Sequence, residues 1–126
     1  MALTPHDLVL EAKSQVREIN CDEAQSLLGK RVIIDVREYD EFAAGHLPGA
    51  INVPRGVLEF KIGMLPEAAN KQAPLLLYCR TSGRAALSAV QLQRIGYADV
   101  VSMGSGFDLW NTEQRPTEKP EPINFE

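Results

Sequence analysis

Two segments of this chain, Val32-Ile33-Ile34-Asp35-Val36 and Leu75-Leu76-Leu77-Tyr78, are apolar at almost every consecutive position. A strand with one wet face alternates polar and apolar residues. These runs do not alternate, so both faces must be covered, as in a parallel strand buried between two layers of helix. The rest of the sequence supplies those helices. Thr4-Pro5 before Asp7-Leu8-Val9-Leu10-Glu11-Ala12 reads as an N-cap, a first-turn proline and a helix. Val16-Arg17-Glu18-Ile19 reads as a short strand. Asn20-Cys21-Asp22-Glu23 caps a helix that runs to Leu28 and stops at Gly29. Tyr39 to Ala44 is a helix ended by Gly45. Ala50 to Val53 is a strand stopped by Pro54, and Gly56 to Ile62 is a helix with Val57, Leu58 and Ile62 on its apolar side. A helix from Arg84 to Ile95, ended by Gly96, follows the Leu75 run. The last strand is Ala98 to Val101 and the last helical turn is Phe107 to Trp110. Strands alternating with helices predict a three-layer α/β/α domain on a central, mainly parallel sheet of about five strands.

The chain has 126 residues, enough for one domain with a core of its own. Its net charge is −4 and it has no basic stripe, which argues against nucleic acid as a partner. No apolar run approaches the length of a membrane span, and the start lacks the basic and apolar regions of a signal peptide, so the expectation is a cytoplasmic protein without a membrane partner. Two cysteines, Cys21 and Cys79, and two histidines form no zinc-ligand spacing, so no metal is expected. In a reducing compartment the two thiols are expected to stay unpaired.

Chemistry concentrates in Cys79-Arg80-Thr81-Ser82-Gly83-Arg84. The run lies between a buried strand and a helix rich in good helix formers. It therefore places a thiol on a tight loop facing a helix N-terminus, where unpaired N–H groups and the positive end of the helix dipole converge. Such a place binds anions, and it is expected to favour thiolate over thiol. Ligands of open parallel sheets bind beyond the carboxyl ends of the strands, the position this loop occupies. A nucleophile for an anionic substrate is the natural reading. An inert packed cysteine is the alternative, and the polarity of the loop argues against it.

Several segments together resemble the rhodanese family of sulfurtransferases in its single-domain form. They are Ile34-Asp35-Val36-Arg37-Glu38, then Phe42-Ala43-Ala44-Gly45-His46-Leu47-Pro48-Gly49-Ala50-Ile51-Asn52-Val53-Pro54, then Tyr78 to Arg84. Met103-Gly104-Ser105-Gly106-Phe107-Asp108-Leu109-Trp110 is similar to the family's C-terminal segment, with Ser105 in place of a glycine. The resemblance covers about residues 19–111. It implies a rhodanese-like domain at 17–114; outside it the residues themselves read as a helical extension at 1–16 and an extended or mobile tail at 115–126, with little to bury before Ile123 and Phe125.

The resemblance implies sulfane-sulfur transfer. Cys79 attacks the outer sulfur of a small anionic donor such as thiosulfate and carries it as a persulfide. Cyanide, a thiol or a protein acceptor then removes it, in a two-step covalent scheme without cofactor or metal. The loop N–H groups from Arg80 to Arg84 are expected to stabilise the persulfide and the leaving sulfite. Gly83 is expected to let the backbone bend, Thr81 and Ser82 to donate hydroxyl bonds, and Arg80 and Arg84 to grip a sulfonate. Arg55 is placed at the mouth of the site. Asp35 and Arg37 are expected as an ion pair tying strand to loop, and His46 as structural rather than a base. Cys21, Phe107 and Trp110 read as packed residues.

Two rival functions remain at this level. A cysteine-dependent phosphatase, or an arsenate reductase, shares the fold, but phosphatase loops place five residues between cysteine and arginine. Here four separate Cys79 from Arg84. A non-catalytic rhodanese-like docking module is the other, and such modules often lack the cysteine.

Overall fold

The two unbroken apolar runs become neighbouring interior strands of a five-stranded, wholly parallel sheet. In this computed structural model, which describes residues 2–121, the chain runs α1 (Pro5–Lys13), β1 (Arg17–Ile19), α2 (Cys21–Ser26), β2 (Val32–Asp35), α3 (Tyr39–Ala44), β3 (Ile51–Asn52), α4 (Leu58–Lys61), β4 (Leu75–Tyr78), α5 (Gly83–Arg94), β5 (Val100–Met103) and α6 (Gly106–Thr112). The sheet order is β1-β5-β4-β2-β3. Ile123 and Phe125 lie outside the described residues.

Strand periodicity divides the core into two. Leu75 and Leu77 of β4 and Ile34 of β2 face one side, where they pack with Ala85, Ala89 and Leu92 of α5 and Leu58 and Ile62 around α4. Leu76 and Tyr78 of β4 and Ile33 of β2 face the other, among Ala24 of α2, Trp110 of α6 and Phe42 of α3. Every side chain of β4 is buried. Each fully buried leucine stabilises the fold by about 1.5–3 kcal/mol, so this strand anchors the domain. α1 lies on the side of α5 turned away from the sheet, leaving between them a surface groove of about 330 Å3.

Local chemistry fixes the helix starts. Thr4 accepts a hydrogen bond from the Asp7 amide while the Asp7 carboxylate accepts one from the Thr4 amide. Asn20 and Glu23 do the same for α2. These reciprocal caps satisfy two otherwise unpaired N–H groups each.

Two expected elements shift. β5 starts at Val100 rather than Ala98, because the Ala98 amide bonds the Lys71 carbonyl and the pairing with β4 begins at Val100. The helix expected over 56–62 is broken into a 3₁₀ turn at Arg55–Val57, the single turn of α4 and a second 3₁₀ turn at Ile62–Met64. Leu58 and Ile62 are buried there, while Phe60 and Met64 are exposed.

After α6 the chain lies back on the domain as far as Glu118. The Trp110 indole N–H donates to the Pro116 carbonyl, and His46 and Glu118 exchange backbone hydrogen bonds as an isolated bridge.

Candidate active site

β2 and β4 are adjacent, yet the helices that follow them lie on opposite faces of the sheet: α3 on the Trp110 side and α5 on the Leu58 side. The chain therefore diverges beyond the carboxyl ends of these strands and leaves a crevice, the usual ligand position in open α/β sheets. Asp35 ends β2 there, and Cys79 follows β4. The two-residue period that turns Leu75 and Leu77 toward α5 turns Cys79 the same way. Its sulfur meets the N-terminus of α5, where the Ala85 amide donates to Sγ at 3.3 Å, and the Thr81 and Arg84 amides pull the thiol pKa in the same downward sense.

The loop is held from outside by α6. The Phe107 amide donates to the Cys79 carbonyl at 2.9 Å and the Asp108 amide to the Arg80 carbonyl at 3.0 Å. With these carbonyls turned outward, the loop amides turn inward. Gly106 makes the approach close enough: it sits at φ +71°, and a Cβ there would overlap the Thr81 and Arg80 carbonyl oxygens. Sequence reasoning noted Gly106 in a motif but did not assign it this task. Its neighbour Ser105 accepts or donates a bond with the Cys21 thiol at 3.2 Å, on the side of the sheet away from α5.

Burial corrects one expectation. Cys79 is only 1% exposed. Desolvation pushes its thiol up from the ordinary value, and the opposing pull of the Ala85, Thr81 and Arg84 amides and the Arg84 charge only partly offsets it. Burial therefore disfavours the thiolate, which forms as pH rises. Gly83 is a second correction. Its backbone is not in the left-handed region; it is the first residue of α5. The missing side chain instead makes room for α1, since a Cβ would stand 3.3 Å from Val9.

Ion pairs surround the crevice. Asp35 and Arg37 are both buried, with Arg37 Nη2 donating to Asp35 Oδ2 at 2.7 Å and to the Gly45 carbonyl at 2.7 Å. The Tyr78 hydroxyl donates to the same carboxylate oxygen at 2.8 Å and accepts from the Leu47 amide. Burial and the adjacent Asp35 charge push that phenol far up, so it remains a donor. The Arg37 guanidinium also lies 4.3 Å over the Phe107 ring. This network ties β2, β4, the Gly45 turn and α6 together, and a buried pair so fully bonded is costly to break from one side, by about 3–5 kcal/mol.

The arginines expected to face the substrate are engaged as well. Arg84 meets Glu41 of α3 in a two-pronged contact, 2.8 and 3.0 Å. Arg80 pairs with Asp108 at 3.1 Å and Arg55 with Glu59 at 3.5 Å. The Arg84 fork that was expected to grip a sulfonate is thus filled by a carboxylate. Glu41 was not singled out from sequence: it lies more than forty positions from Arg84, and nothing local marks the pair. Arg84 donation is the chief reason its carboxyl is held down to about 2, against burial that opposes it.

The remaining candidates fall into place around this frame. Thr81 is exposed, and Ser82 precedes α5 with its hydroxyl making no capping bond to the helix. His46 is buried, with Nδ1 2.8 Å from the Leu47 carbonyl and its ring stacked on Phe42 at 3.8 Å. A cleft of about 310 Å3 runs beside the loop between Glu41 and Gly45 on one wall and Phe107 and Asn111 on the other. Among the described residues no cluster of His, Cys, Asp or Glu is arranged to hold a metal ion, and no helix is long and apolar enough to cross a membrane.

A family model of the rhodanese-like domain matches residues 20–113. The chain belongs to this family. It is 32% identical over 100 residues to the thiosulfate sulfurtransferase GlpE of Pseudomonas fluorescens, covering 79% of this chain and 88% of that protein. The human single-domain sulfurtransferase superposes with a TM-score of 0.71 at 25% identity, over 78% of this chain and 97% of that one. A Rhodopseudomonas palustris protein of unknown function, described as a possible tyrosine phosphatase, gives 0.82 at 26% identity, over 94% and 96%. The rhodanese-like match takes in β2, the Cys79 loop and α6, the parts that build the crevice.

Two outcomes follow from this geometry. Alkylation of Cys79 by iodoacetamide, followed on its peptide by mass, will keep accelerating with pH beyond the range where a free cysteine peptide levels off; a plateau at or below that range contradicts a buried thiol. Gly106→Ala will destabilise the fold by about 2 kcal/mol in urea titration, because backbone must move to admit the methyl. Unchanged stability would show that α6 does not clamp the loop.

Proposed function

We propose that this rhodanese-like domain is a sulfurtransferase that carries sulfane sulfur on Cys79. The observation that carries the reading is the Cys79 sulfur at the N-terminus of α5, where the Ala85 amide donates to it at 3.3 Å. The names of its relatives support the same chemistry, since the 32%-identical GlpE is a thiosulfate sulfurtransferase.

In the first half-reaction the Cys79 thiol loses its proton to solvent, and the thiolate electron pair forms a bond to the outer sulfur of thiosulfate. The S–S bond of the donor breaks, and its pair leaves with sulfite. Cys79 is left as an anionic persulfide. In the second half, cyanide or a thiolate acceptor attacks the outer sulfur and the Cys79 thiolate departs. Charge stays on sulfur throughout, so amides already aimed at that atom stabilise each intermediate without rearranging. In this reading the hydroxyls of Thr81 and Ser82 bind the departing sulfite. The scheme asks for no metal or cofactor.

Phosphoryl transfer fits the loop less well. Four residues between Cys79 and Arg84 close a small cradle, and the Arg84 fork already holds Glu41. The test is intact mass before and after thiosulfate, and again after cyanide. Gain of one sulfur atom, its loss to cyanide and no gain in Cys79→Ser are expected. No gain from any sulfur donor, with Cys79-dependent hydrolysis of p-nitrophenyl phosphate, would overturn the assignment.

A further inference from the structure

The arginines that the sequence singles out each have a carboxylate partner: Arg37 with Asp35, Arg55 with Glu59, Arg80 with Asp108 and Arg84 with Glu41. The loop thus binds anions with backbone amides, while the side-chain charge at its mouth is balanced. The four pairs are not equal. Arg37–Asp35 is sealed in the core. Arg80–Asp108 is largely exposed, and such a pair is loose and screened. Arg84–Glu41 is a two-pronged contact at partial burial. Glu41 is also fixed from behind, because its Oε1 accepts the Glu38 amide at 3.0 Å in the first turn of α3. The carboxylate is therefore part of the wall of the crevice, not a side chain that swings away.

We propose that Glu41 is a specificity-determining residue that selects sulfur donors by charge. It occupies the guanidinium fork of Arg84 and adds its own negative charge beside the cleft, so that a doubly charged donor is captured more weakly than a singly charged one. The inference rests on the sulfurtransferase reading above and deepens it. Arg84 is the first-turn cation of the helix whose N-terminus faces Cys79, and its charge is felt at that sulfur. A dianion such as thiosulfate that engages the Arg84 charge must displace the Glu41 carboxylate or share the guanidinium with it. A monoanion meets half of that repulsion and loses less by leaving Arg84 where it is. As a positioning residue Glu41 acts through Arg84 and needs no contact with the reacting sulfur.

Thiosulfate and methanethiosulfonate make a matched pair of probes. Both offer the same outer sulfur to Cys79, and thiolate attack breaks the same S–S bond. Sulfite leaves from the dianion and methanesulfinate from the monoanion, so charge and electrons balance in each case. The ratio of kcat/KM for thiosulfate to that for methanethiosulfonate cancels any change in Cys79 reactivity or in the fraction folded. In Glu41→Gln, which keeps an oxygen for the Glu38 amide, this ratio is expected to rise about fivefold at low ionic strength, the size of one partly screened charge interaction, and to fall back as salt is added. Asp108→Asn, which frees an exposed and already screened arginine, is expected to raise it less. A ratio in Glu41→Gln that is unchanged, or that falls, while both donors still load sulfur on Cys79, overturns the proposal and leaves the sulfurtransferase reading intact. If neither donor loads sulfur on the unaltered protein, the reading itself fails, and the proposal with it.

Discussion

The arrangement depends on two backbone hydrogen bonds that do not touch the thiol. The amides of Phe107 and Asp108 take the carbonyls of Cys79 and Arg80. A peptide unit has its N–H and C=O on opposite sides, so fixing the carbonyls outward presents the amides inward. Without that clamp the loop would be free to turn a carbonyl onto the sulfur, which repels an anion. Gly106 permits the clamp, since any side chain at that position meets the Thr81 and Arg80 carbonyls. The aromatic ring that follows, Phe107, carries the Arg37 guanidinium on its face and so links the clamp to the buried Asp35 pair.

Burial and amide donation act in opposite directions on Cys79. The closed core that orders the loop raises the thiol, and the amides limit that rise. A persulfide places its charge one atom further from the apolar floor of Ala85 and Ala89. On this account the site is better matched to the sulfur-loaded state than to the empty thiolate, as a carrier between two half-reactions requires.

Much of the architecture was legible in the sequence because one physical demand, burial on both faces, writes itself as an unbroken apolar run. The runs Val32–Val36 and Leu75–Tyr78 show it, and the structure has strands at Val32–Asp35 and Leu75–Tyr78. β5 was misplaced by two residues because Ser102 interrupts its apolar run while Ala98 imitates one in the preceding turn. The expected helix at 56–62 broke up because its buried positions, Leu58 and Ile62, satisfy a single turn and not a continuous face. The position of the thiol was legible from strand, loop and helix in succession. Its protonation was not, because that depends on how completely the finished core excludes water. Pairings between distant residues, Glu41 with Arg84 and Tyr78 with Asp35, leave no local signature at all. The charge balance at the mouth is therefore a property of the fold and not of the loop motif.

The most direct test is a 1H–15N correlation spectrum recorded before and after loading with thiosulfate. If the loop amides hold the anionic persulfide, the signals of Thr81, Arg84 and Ala85 will move together to lower field as sulfur is gained, and return when cyanide removes it. Sulfur gained on Cys79 with those three amides unmoved would contradict the account.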